Sequence, residues 1–344
     1  MPTDILFSRR SFILMSLSLA ACKGGADILE LSGSTMGTGY SVTAVDHDRR
    51  VDKAALQKAI GNSLESVNAT LSNWDPTSEV SRFNAWKSSE PMQVSEDLAK
   101  VVQTSKDVNH ASEGQFDITL GPVIEAWGFG AKKPGRHAEP AAAILSAAKG
   151  AAGQTDGLNV GNGSLRKTRP ETQIYVPSVG KGYGVDKLAE VVRSFGLSDF
   201  MVEIGGDIYV SGLNADGMEW QIGIESPNAL SRQAFKVASV SNLGMATSGD
   251  YRNYFEHDGQ RYSHIIDAHT GRPIIHKTAS VTVLAENTMM ADAWSTALLA
   301  AGTERGLAIA NQRDLAVMFI DRNTDAPNGG FVTAASNRFK ALQA

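Results

Sequence analysis

Segments with the two-residue period of β-strands and segments with helical periodicity follow one another in irregular order along this chain. TGYSVTAVDH and ASVTVLAE alternate as strands do, whereas helices are predicted over residues 52–72, 95–112 and 288–301. A doubly wound parallel fold needs a regular succession of strand and helix, which this order does not provide. The sequence therefore predicts an α+β fold, built as one unit of two lobes.

The composition is that of an ordinary globular chain, with 42% hydrophobic and 20% charged residues among 344. A formal net charge of −5 and a pI near 5.8 argue against a nucleic-acid-binding protein, which would carry a basic patch. The single cysteine excludes an internal disulfide and a cysteine-based metal cluster. P-loop, Rossmann, zinc-protease and α/β-hydrolase motifs are also missing from the sequence.

The first 22 residues have the pattern of an export signal. Arg9 and Arg10 precede an apolar run over residues 12–19, and LAAC follows it, ending at Cys22. The run is far shorter than the roughly 20 apolar residues that span a bilayer, so a signal peptide over residues 1–21 is predicted. LAAC resembles a lipobox, in which the cysteine is lipidated, and SRRSF resembles a twin-arginine export motif. The alternative is an ordinary signal peptide that contains a chance cysteine.

We therefore expect a periplasmic lipoprotein that is anchored to the membrane through Cys22. Residues 22–33 are predicted to form a tether, and residues 34–344 are predicted to form the folded domain. After the signal peptide, no segment of the sequence is long and apolar enough to span a membrane.

An aspartate and a threonine interrupt an otherwise apolar helix in MMADAWSTAL. Asp292 and Thr296 are four residues apart, which places both side chains on one helical face. A charge in such a helix is costly unless a partner compensates it. Carboxylate and hydroxyl oxygens are hard ligands that suit Mg²⁺. The alternative is that Asp292 hydrogen-bonds a neighbouring loop while Thr296 bonds within its own helix.

Two other polar segments could carry acid–base or phosphate chemistry. In SHIIDAHTG, His264 precedes Asp267 by three residues and could act as a base at neutral pH. The segment from Asp267 to Gly271 could equally form an ordinary turn. GKGYGVDKL predicts a glycine loop that opens a helix, where Lys181 would favour phosphate. An exposed lysine in an ordinary strand-to-helix connection is the alternative.

Four further residues have two interpretations each. Glu203 and Asp207 flank two glycines and are either polar site residues or turn formers. Trp74 and Phe116 lie in polar, turn-rich segments, where they could sandwich an aromatic ring or belong to the core. Each of these signals is weak by itself.

Together and in this order, these segments resemble the ApbE family, the FAD:protein FMN transferases. The similarity extends from about Thr35 to Gly302, which is most of the chain after the signal peptide. The blocks that carry it are STMGTGYSV, LSNWDPTSEVSRFN, GQFDITLGPVIEAWGFG, VGKGYGVDKL, VEIGGDIYVSG, NLGMATSGDYRNYF, YSHIIDAHTG and ADAWSTAL.

The resemblance implies an ApbE-like, T-fold-related domain of mixed sheets with packed helices. It also implies that FAD is cleaved at its pyrophosphate, that AMP leaves, and that FMN is joined by a phosphoester bond to a threonine or serine of a target protein. The expected acceptor is an exported or membrane redox flavoprotein, and no nucleic-acid partner is expected. FAD would be the substrate and Mg²⁺ the cofactor.

The resemblance also implies roles for single residues. Asp292 and Thr296 would bind Mg²⁺ with a further oxygen near Ser178, and the metal would neutralise the pyrophosphate and the leaving AMP. His264 would be the base that activates the acceptor hydroxyl, with Asp267 as the second choice. The residues expected to contact FAD are Met36, Trp74, Gln115, Phe116, Asp117, Lys181 and Ile266.

Two positions depart from the family pattern. Tyr175 stands where many members have an acidic residue, and Pro177 replaces a commoner small residue. A lost acidic contact could change the affinity for FAD or the surroundings of the metal.

Two alternative functions are compatible with parts of this pattern. A periplasmic FAD pyrophosphatase would use the same residues with water as the acceptor. A non-catalytic FAD-binding lipoprotein would have no need of Asp292 and Thr296.

Overall fold

The structure is a computed structural model, and it confirms an α+β fold of helices and antiparallel sheets. The stretches of the chain that it describes are residues 26–130, 138–228, 233–323 and 330–344. The predicted signal peptide over residues 1–21 and the predicted lipidation site at Cys22 lie outside the described residues.

The secondary structure consists of short strands interleaved with helices. The helices are α1 (Lys53–Leu71), α2 (Glu79–Ala85), α3 (Glu96–Ala111), α4 (Gly121–Ala126), α5 (Ala142–Ala151), α6 (Pro177–Ser194), α7 (Thr288–Gln312) and α8 (Asn337–Leu342), with a 3₁₀ turn at Thr155–Gly157. The strands are β1 (Asp27–Thr35), β2 (Thr38–Asp46), β3 (Met92–Gln93), β4 (Leu158–Gly161), β5 (Ser164–Lys167), β6 (Asp199–Ile204), β7 (Asp207–Ser211), β8 (Trp220–Glu225), β9 (Ala234–Val240), β10 (Leu243–Gly249), β11 (Tyr254–His257), β12 (Gln260–Ser263), β13 (Ile266–Asp267), β14 (Arg272–Pro273), β15 (Thr278–Ala285), β16 (Ala316–Arg322) and β17 (Phe331–Ala335).

The framework is an eight-stranded sheet with the strand order β1-β2-β6-β7-β10-β15-β16-β17, in which adjacent strands are antiparallel. Helices α1, α6 and α7 cover one face, while the β8–β9 hairpin and α8 cover the other. Strand β15 lies inside the sheet and is buried on both faces. Its polar side chains are therefore buried as well, and the Thr282 hydroxyl is paired with that of Thr247 in β10 at 2.8 Å.

The three helices predicted from periodicity are confirmed as α1, α3 and α7. Helix α1 begins after Asp52, whose carboxylate accepts hydrogen bonds from the N–H groups of Ala54 and Ala55. Helix α3 begins after Ser95, whose hydroxyl oxygen accepts one from the Leu98 N–H. Side-chain oxygens at these positions satisfy N–H groups that have no partner within the helix, so local chemistry sets both helix starts.

The glycine loop predicted around Lys181 is wrong, because these residues form the first turns of α6. The helix starts at Pro177, whose fixed backbone angle suits that position. Gly182 tolerates no side chain, since a Cβ atom there would lie 2.3 Å from the Thr288 carbonyl oxygen and 2.8 Å from Asp292 Cβ. The glycine therefore allows α6 to cross α7 closely, which brings Lys181 beside Asp292.

Helix α7 is interrupted at Gly302, whose φ of 76° lies in the left-handed region that favours glycine. The part before Gly302 is buried nearly all round, between the sheet, α3 and α6. A helix buried on all sides is apolar on all sides, which explains the composition of MMADAWSTAL. Asp292 is therefore placed in the interior and is only 3% exposed.

A separate apolar cluster forms a smaller lobe from α4, α5 and the β11–β12 and β13–β14 hairpins. Within it Trp127, Tyr262, Phe255 and Phe129 stack in series, with ring centroids 5.1–5.5 Å apart. The ring of Phe129 also meets the ring of His264 edge-on, at 6.4 Å between centroids. The smaller lobe thus supports His264 from one side.

The tether predicted over residues 22–33 overlaps with a strand. Strand β1 starts at Asp27 and pairs with β2 along its whole length. Leu29 and Leu31 point into the core that α1 covers, and this burial explains why the segment is ordered as a strand. Within the part of the chain that the structure describes, no helix is long and apolar enough to cross a membrane.

Lys167 at the end of β5 is fully buried, and none of the ion pairs among the described residues involves it. Its ammonium group donates hydrogen bonds to the carbonyl oxygens of Phe83, at 3.0 Å, and Thr172, at 2.9 Å, and lies over the Phe83 ring. Burial lowers the pKa of Lys167 from 10.5 to about 8. The native state therefore releases this proton at a lower pH than the unfolded chain does.

This shift predicts that Lys167 makes folding more favourable as the pH rises. Between pH 8 and 10.5 the unfolded chain binds more protons at this site, so the free energy of unfolding should increase by about 3 kcal/mol. Denaturant unfolding of the wild type and of Lys167→Met measures this increase as the difference between their pH profiles. Lys58→Met removes an exposed lysine of α1 and should run parallel to the wild type. A parallel profile for Lys167→Met would contradict the prediction.

Candidate functional site

A cavity of about 710 Å³ lies between the smaller lobe on one side and α6, α7, β10 and the β8–β9 hairpin on the other. It brings together ten of the twelve residues that the sequence singled out as site residues. These are Trp74, Gln115, Phe116, Asp117, Ser178, Lys181, His264, Ile266, Asp292 and Thr296.

Met36 and Asp267 do not line this cavity. The terminal methyl group of Met36 packs against Gly184 in α6. A Cβ atom added at Gly184 would lie only 2.8 Å from this methyl group. The Asp267 carboxylate accepts hydrogen bonds from the backbone N–H groups of His269, at 2.8 Å, and Thr270, at 3.3 Å. Asp267 therefore has the turn-forming role that the sequence left open as its alternative.

Asp292 meets two partners contributed by α6. Its Oδ2 atom accepts a hydrogen bond of 3.0 Å from the Gly182 N–H, and its Oδ1 atom lies 3.7 Å from Lys181 Nζ. The same lysine forms an ion pair and a hydrogen bond with Asp207, which follows the glycine turn between β6 and β7. One ammonium group therefore contacts two buried carboxylates.

Burial and the charges of the neighbouring groups act in opposite directions on the pKa values of these three residues. Burial raises the pKa of the Asp292 carboxyl, although the Lys181 ammonium acts in the opposite direction. It also raises the pKa of Asp207 to about 7. Burial alone would lower the pKa of Lys181, but the two carboxylates outweigh it and hold that pKa above its ordinary value. Negative charge is in excess here, so a further cation would stabilise both carboxylates in their ionised form.

The donor atoms at this end of the cavity are those that Mg²⁺ prefers. Asp292, Thr296 and Ser178 all offer oxygen atoms, and the Thr296 hydroxyl is 3.1 Å from Ser248 Oγ. Mg²⁺ is commonly held by one or two carboxylates and keeps its other positions for water and substrate phosphate. Among the described residues, no group of three His, Cys, Asp or Glu side chains could hold a metal ion. The side chains that line this end of the cavity would offer Mg²⁺ one carboxylate, from Asp292, and the neutral oxygens of Thr296 and Ser178.

His264 is held from one side by a single carbonyl group. The Asn253 carbonyl oxygen accepts a hydrogen bond of 3.0 Å from the His264 backbone N–H and lies 3.0 Å from its Nδ1 atom. A carbonyl oxygen can only accept, so Nδ1 carries the proton and Nε2 keeps a lone pair. Burial lowers the pKa of His264, while the Asn253 carbonyl and Asp250 act in the opposite direction. The imidazole is therefore suited to accept a proton at neutral pH.

Aromatic side chains provide a surface for a planar ligand. Trp74 is 60% exposed, and its ring lies 6.0 Å from that of Tyr175, at an angle of 53° between the planes. Burial raises the pKa of Tyr175 to about 12, so its hydroxyl stays neutral. Tyr175 thus places an uncharged ring in the cavity at a position where the family resemblance led us to expect an acid.

Comparison with known proteins agrees with this geometry. The family model described as "ApbE family" matches residues 36–319, which is most of the chain. This chain belongs to the ApbE family. Both the family and the α+β class predicted from the sequence are confirmed.

Relatives in the ApbE family cover nearly the whole chain. The FAD:protein FMN transferase of Vibrio cholerae is 41% identical over 325 residues, which is 94% of this chain and 95% of the relative. That of Haemophilus influenzae is 40% identical over 335 residues, or 96% of each chain. The solved structure of the flavin transferase ApbE from Vibrio cholerae has a TM-score of 0.84 and 39% identity, covering 92% of this chain and 99% of that one. The prediction of an enzyme of the flavin transferase class is confirmed.

Several residues that line this ApbE-family cavity, or contact a residue that lines it, were missed or left open by sequence reasoning. Asp207 was left as either a site residue or a turn former, and the structure shows that it binds Lys181. Ser248 and Asn253 lie in NLGMATSGDYRNYF, a block that was recognised only as a family motif. Asn253 acts through its backbone carbonyl, which no residue type signals, so only the fold could reveal it.

Proposed function

We propose that this chain is a Mg²⁺-dependent FAD:protein FMN transferase that attaches FMN to a threonine or serine hydroxyl of a target protein and releases AMP. The observation that carries this proposal is the shared cavity, into which α7 places Asp292 and Thr296, α6 places Lys181, and the smaller lobe places His264. A base and a cluster of phosphate-binding groups are what transfer of a phosphoryl group to a hydroxyl requires.

Each element of the cavity has a separate task in this reaction. Trp74 and Tyr175 offer rings against which the planar parts of FAD can pack. The Lys181 ammonium group, fixed by Asp207, would bind the pyrophosphate of FAD. Mg²⁺ held by Asp292, Thr296 and Ser178 would neutralise charge on the pyrophosphate and on the AMP leaving group.

His264 would accept the proton of the acceptor hydroxyl at Nε2 as the hydroxyl oxygen attacks the phosphorus of the FMN half of FAD. A new P–O bond to the acceptor forms, the bond to the bridging oxygen breaks, and that oxygen leaves with AMP. The proton on His264 is then lost to solvent or to the departing phosphate. No oxidation or reduction takes place, and the flavin ring is unchanged.

The N-terminal sequence suggests where the acceptor is met. A signal peptide over residues 1–21 and lipidation of Cys22 would place the enzyme at the periplasmic face of a membrane. An exported or membrane redox flavoprotein would then be the acceptor.

Mass spectrometry tests the proposal directly. The chain from Ala26 onward is incubated with FAD, Mg²⁺ and a candidate acceptor, and an acceptor mass increase of one FMN on a threonine or serine is expected, with one AMP released. AMP and FMN formed at the same rate with and without each acceptor tried would indicate a pyrophosphatase instead. FAD that is bound and recovered intact would indicate a binding protein.

A further inference from the structure

Asp250 is a buried carboxylate outside the cavity that is bound by two arginines. It follows β10 and is 5% exposed. Arg322 at the end of β16 donates to both carboxylate oxygens, with Nη1 2.9 Å from Oδ2. The Nη1 atom of Arg261 in β12 lies 3.3 Å from Asp250 Oδ2, and the Nη2 atom of Arg261 donates a hydrogen bond to the Asp250 backbone carbonyl. The two arginines therefore fix both the side chain and the backbone of Asp250.

The segment that begins at Asp250 ends at the carbonyl that holds His264. Tyr251, Arg252 and Asn253 follow Asp250 and all line the cavity. The Asn253 carbonyl oxygen accepts a hydrogen bond of 3.0 Å from the His264 backbone N–H. The same oxygen lies 3.0 Å from the His264 Nδ1 atom. Any shift of this segment would therefore change the orientation of the imidazole and the preference for a proton on Nδ1.

We propose that Asp250 is a positioning residue of flavin transfer. With Arg261 and Arg322 it fixes residues 250–253, so that the Asn253 carbonyl keeps His264 in the tautomer whose lone pair on Nε2 faces the acceptor hydroxyl. This inference rests on the proposed function, because it assumes that His264 is the base. It adds a network of three charged side chains that do not touch the substrate.

The geometry of the network supports positioning in addition to stability. Two parallel hydrogen bonds from a planar guanidinium fix the direction of a carboxylate more strictly than a single contact does. Arg261 lies three residues before His264 in the chain, so the network ties the strand leading to His264 to the segment carrying its hydrogen-bond acceptor. Asp250 is also joined to β15, because its backbone N–H donates to the Ala279 carbonyl at 3.0 Å.

The test compares Asp250→Asn with Asp258→Asn. Asp258 is exposed at the turn between β11 and β12 and has a positive φ, which asparagine tolerates, so its variant is a matched control. For Asp250→Asn we expect kcat for flavin transfer to fall about 100-fold, because a small misplacement of the base slows the chemical step. The KM for FAD should change less than about twofold, because Asp250 does not line the cavity. Asp258→Asn should match the wild type.

Histidine ¹⁵N resonances supply a readout that does not depend on activity. At pH 7.5 the wild type should show His264 protonated on Nδ1 alone, and Asp250→Asn should show a mixture of both tautomers. His264→Gln identifies the signal by removing it. Arg322→Lys, which keeps the charge but loses the two parallel bonds, should lie between the wild type and Asp250→Asn in both measurements.

An unchanged tautomer in Asp250→Asn, or a fall in kcat that is matched by equal losses in FAD binding and thermal stability, would overturn the positioning role. If Asp250→Asn does not fold, Arg261→Gln removes one arginine from the network, leaves the two parallel bonds from Arg322 in place, and decides by the same two measurements. If no acceptor is modified by the wild type, the proposed function fails, whereas the tautomer measurement still decides whether Asp250 positions His264.

Discussion

Asp292→Asn is expected to lower flavin transfer about 1,000-fold while the protein stays folded. Asparagine has nearly the shape of aspartate and keeps an oxygen that can accept the Gly182 N–H. It lacks the negative charge that Mg²⁺ requires, and loss of such electrostatic stabilisation typically costs a factor of about 100 to 1,000 in rate. The rate of FMN attachment as a function of Mg²⁺ concentration measures this effect. Chelation of Mg²⁺ should reduce the wild type to a similar level.

The matched control for this variant is Glu304→Gln, which removes an exposed carboxylate from the same helix. It should retain wild-type transfer and the wild-type response to Mg²⁺. Excess Mg²⁺ should restore the chelated wild type but not Asp292→Asn. If Asp292→Asn transferred FMN at the wild-type rate at saturating Mg²⁺, Asp292 would not be a ligand of the metal.

His264→Gln is expected to slow transfer by about 1,000-fold and to leave the affinity for FAD within about twofold of the wild type. A positioned general base contributes a factor of about 100 to 10,000, and glutamine cannot accept the proton. Single-turnover measurements of FMN attachment give the rate, and quenching of flavin fluorescence gives the affinity. Equal losses in rate and in affinity would make His264 a binding residue.

The pH dependence of the wild type provides a second check on His264. Burial holds the pKa of His264 below 6.5, with Lys181 acting in the same direction and Asp250 in the opposite one. The base is active in its neutral form, so kcat should rise with pH in the acid range, with its midpoint below the ordinary pKa of histidine. His269→Gln, which removes an exposed histidine from the following turn, should leave this profile unchanged.

The parts of the fold that depend on local chemistry could be predicted from the sequence. Helices α1 and α3 were predicted from the pattern of apolar residues, and in the structure Asp52 and Ser95 cap their first turns. Strand β2 and strand β15 were found from their side-chain pattern and their β-branched residues. The four-residue spacing of Asp292 and Thr296 was sufficient to place both on one face of α7 and to suggest a cation.

Other elements could not be read locally because tertiary contacts decided them. GKGYG has the composition of a loop, and it is helical because glycine permits the close crossing of α6 and α7. Residues 27–33 were assigned to a tether, and they form part of β1 because pairing with β2 and burial of Leu29 and Leu31 stabilise them there. The helical periodicity of a chain does not report such contacts between distant segments.

The sequence by itself determined the family, the fold class and ten of the residues that line the cavity. Only the tertiary structure decided how they are connected: Lys181 between Asp207 and Asp292, and His264 against the Asn253 carbonyl. The physical reason is that residue type and spacing report the chemistry of one segment. A hydrogen bond between residues 110 positions apart, such as that from Gly182 to Asp292, depends on how two helices pack.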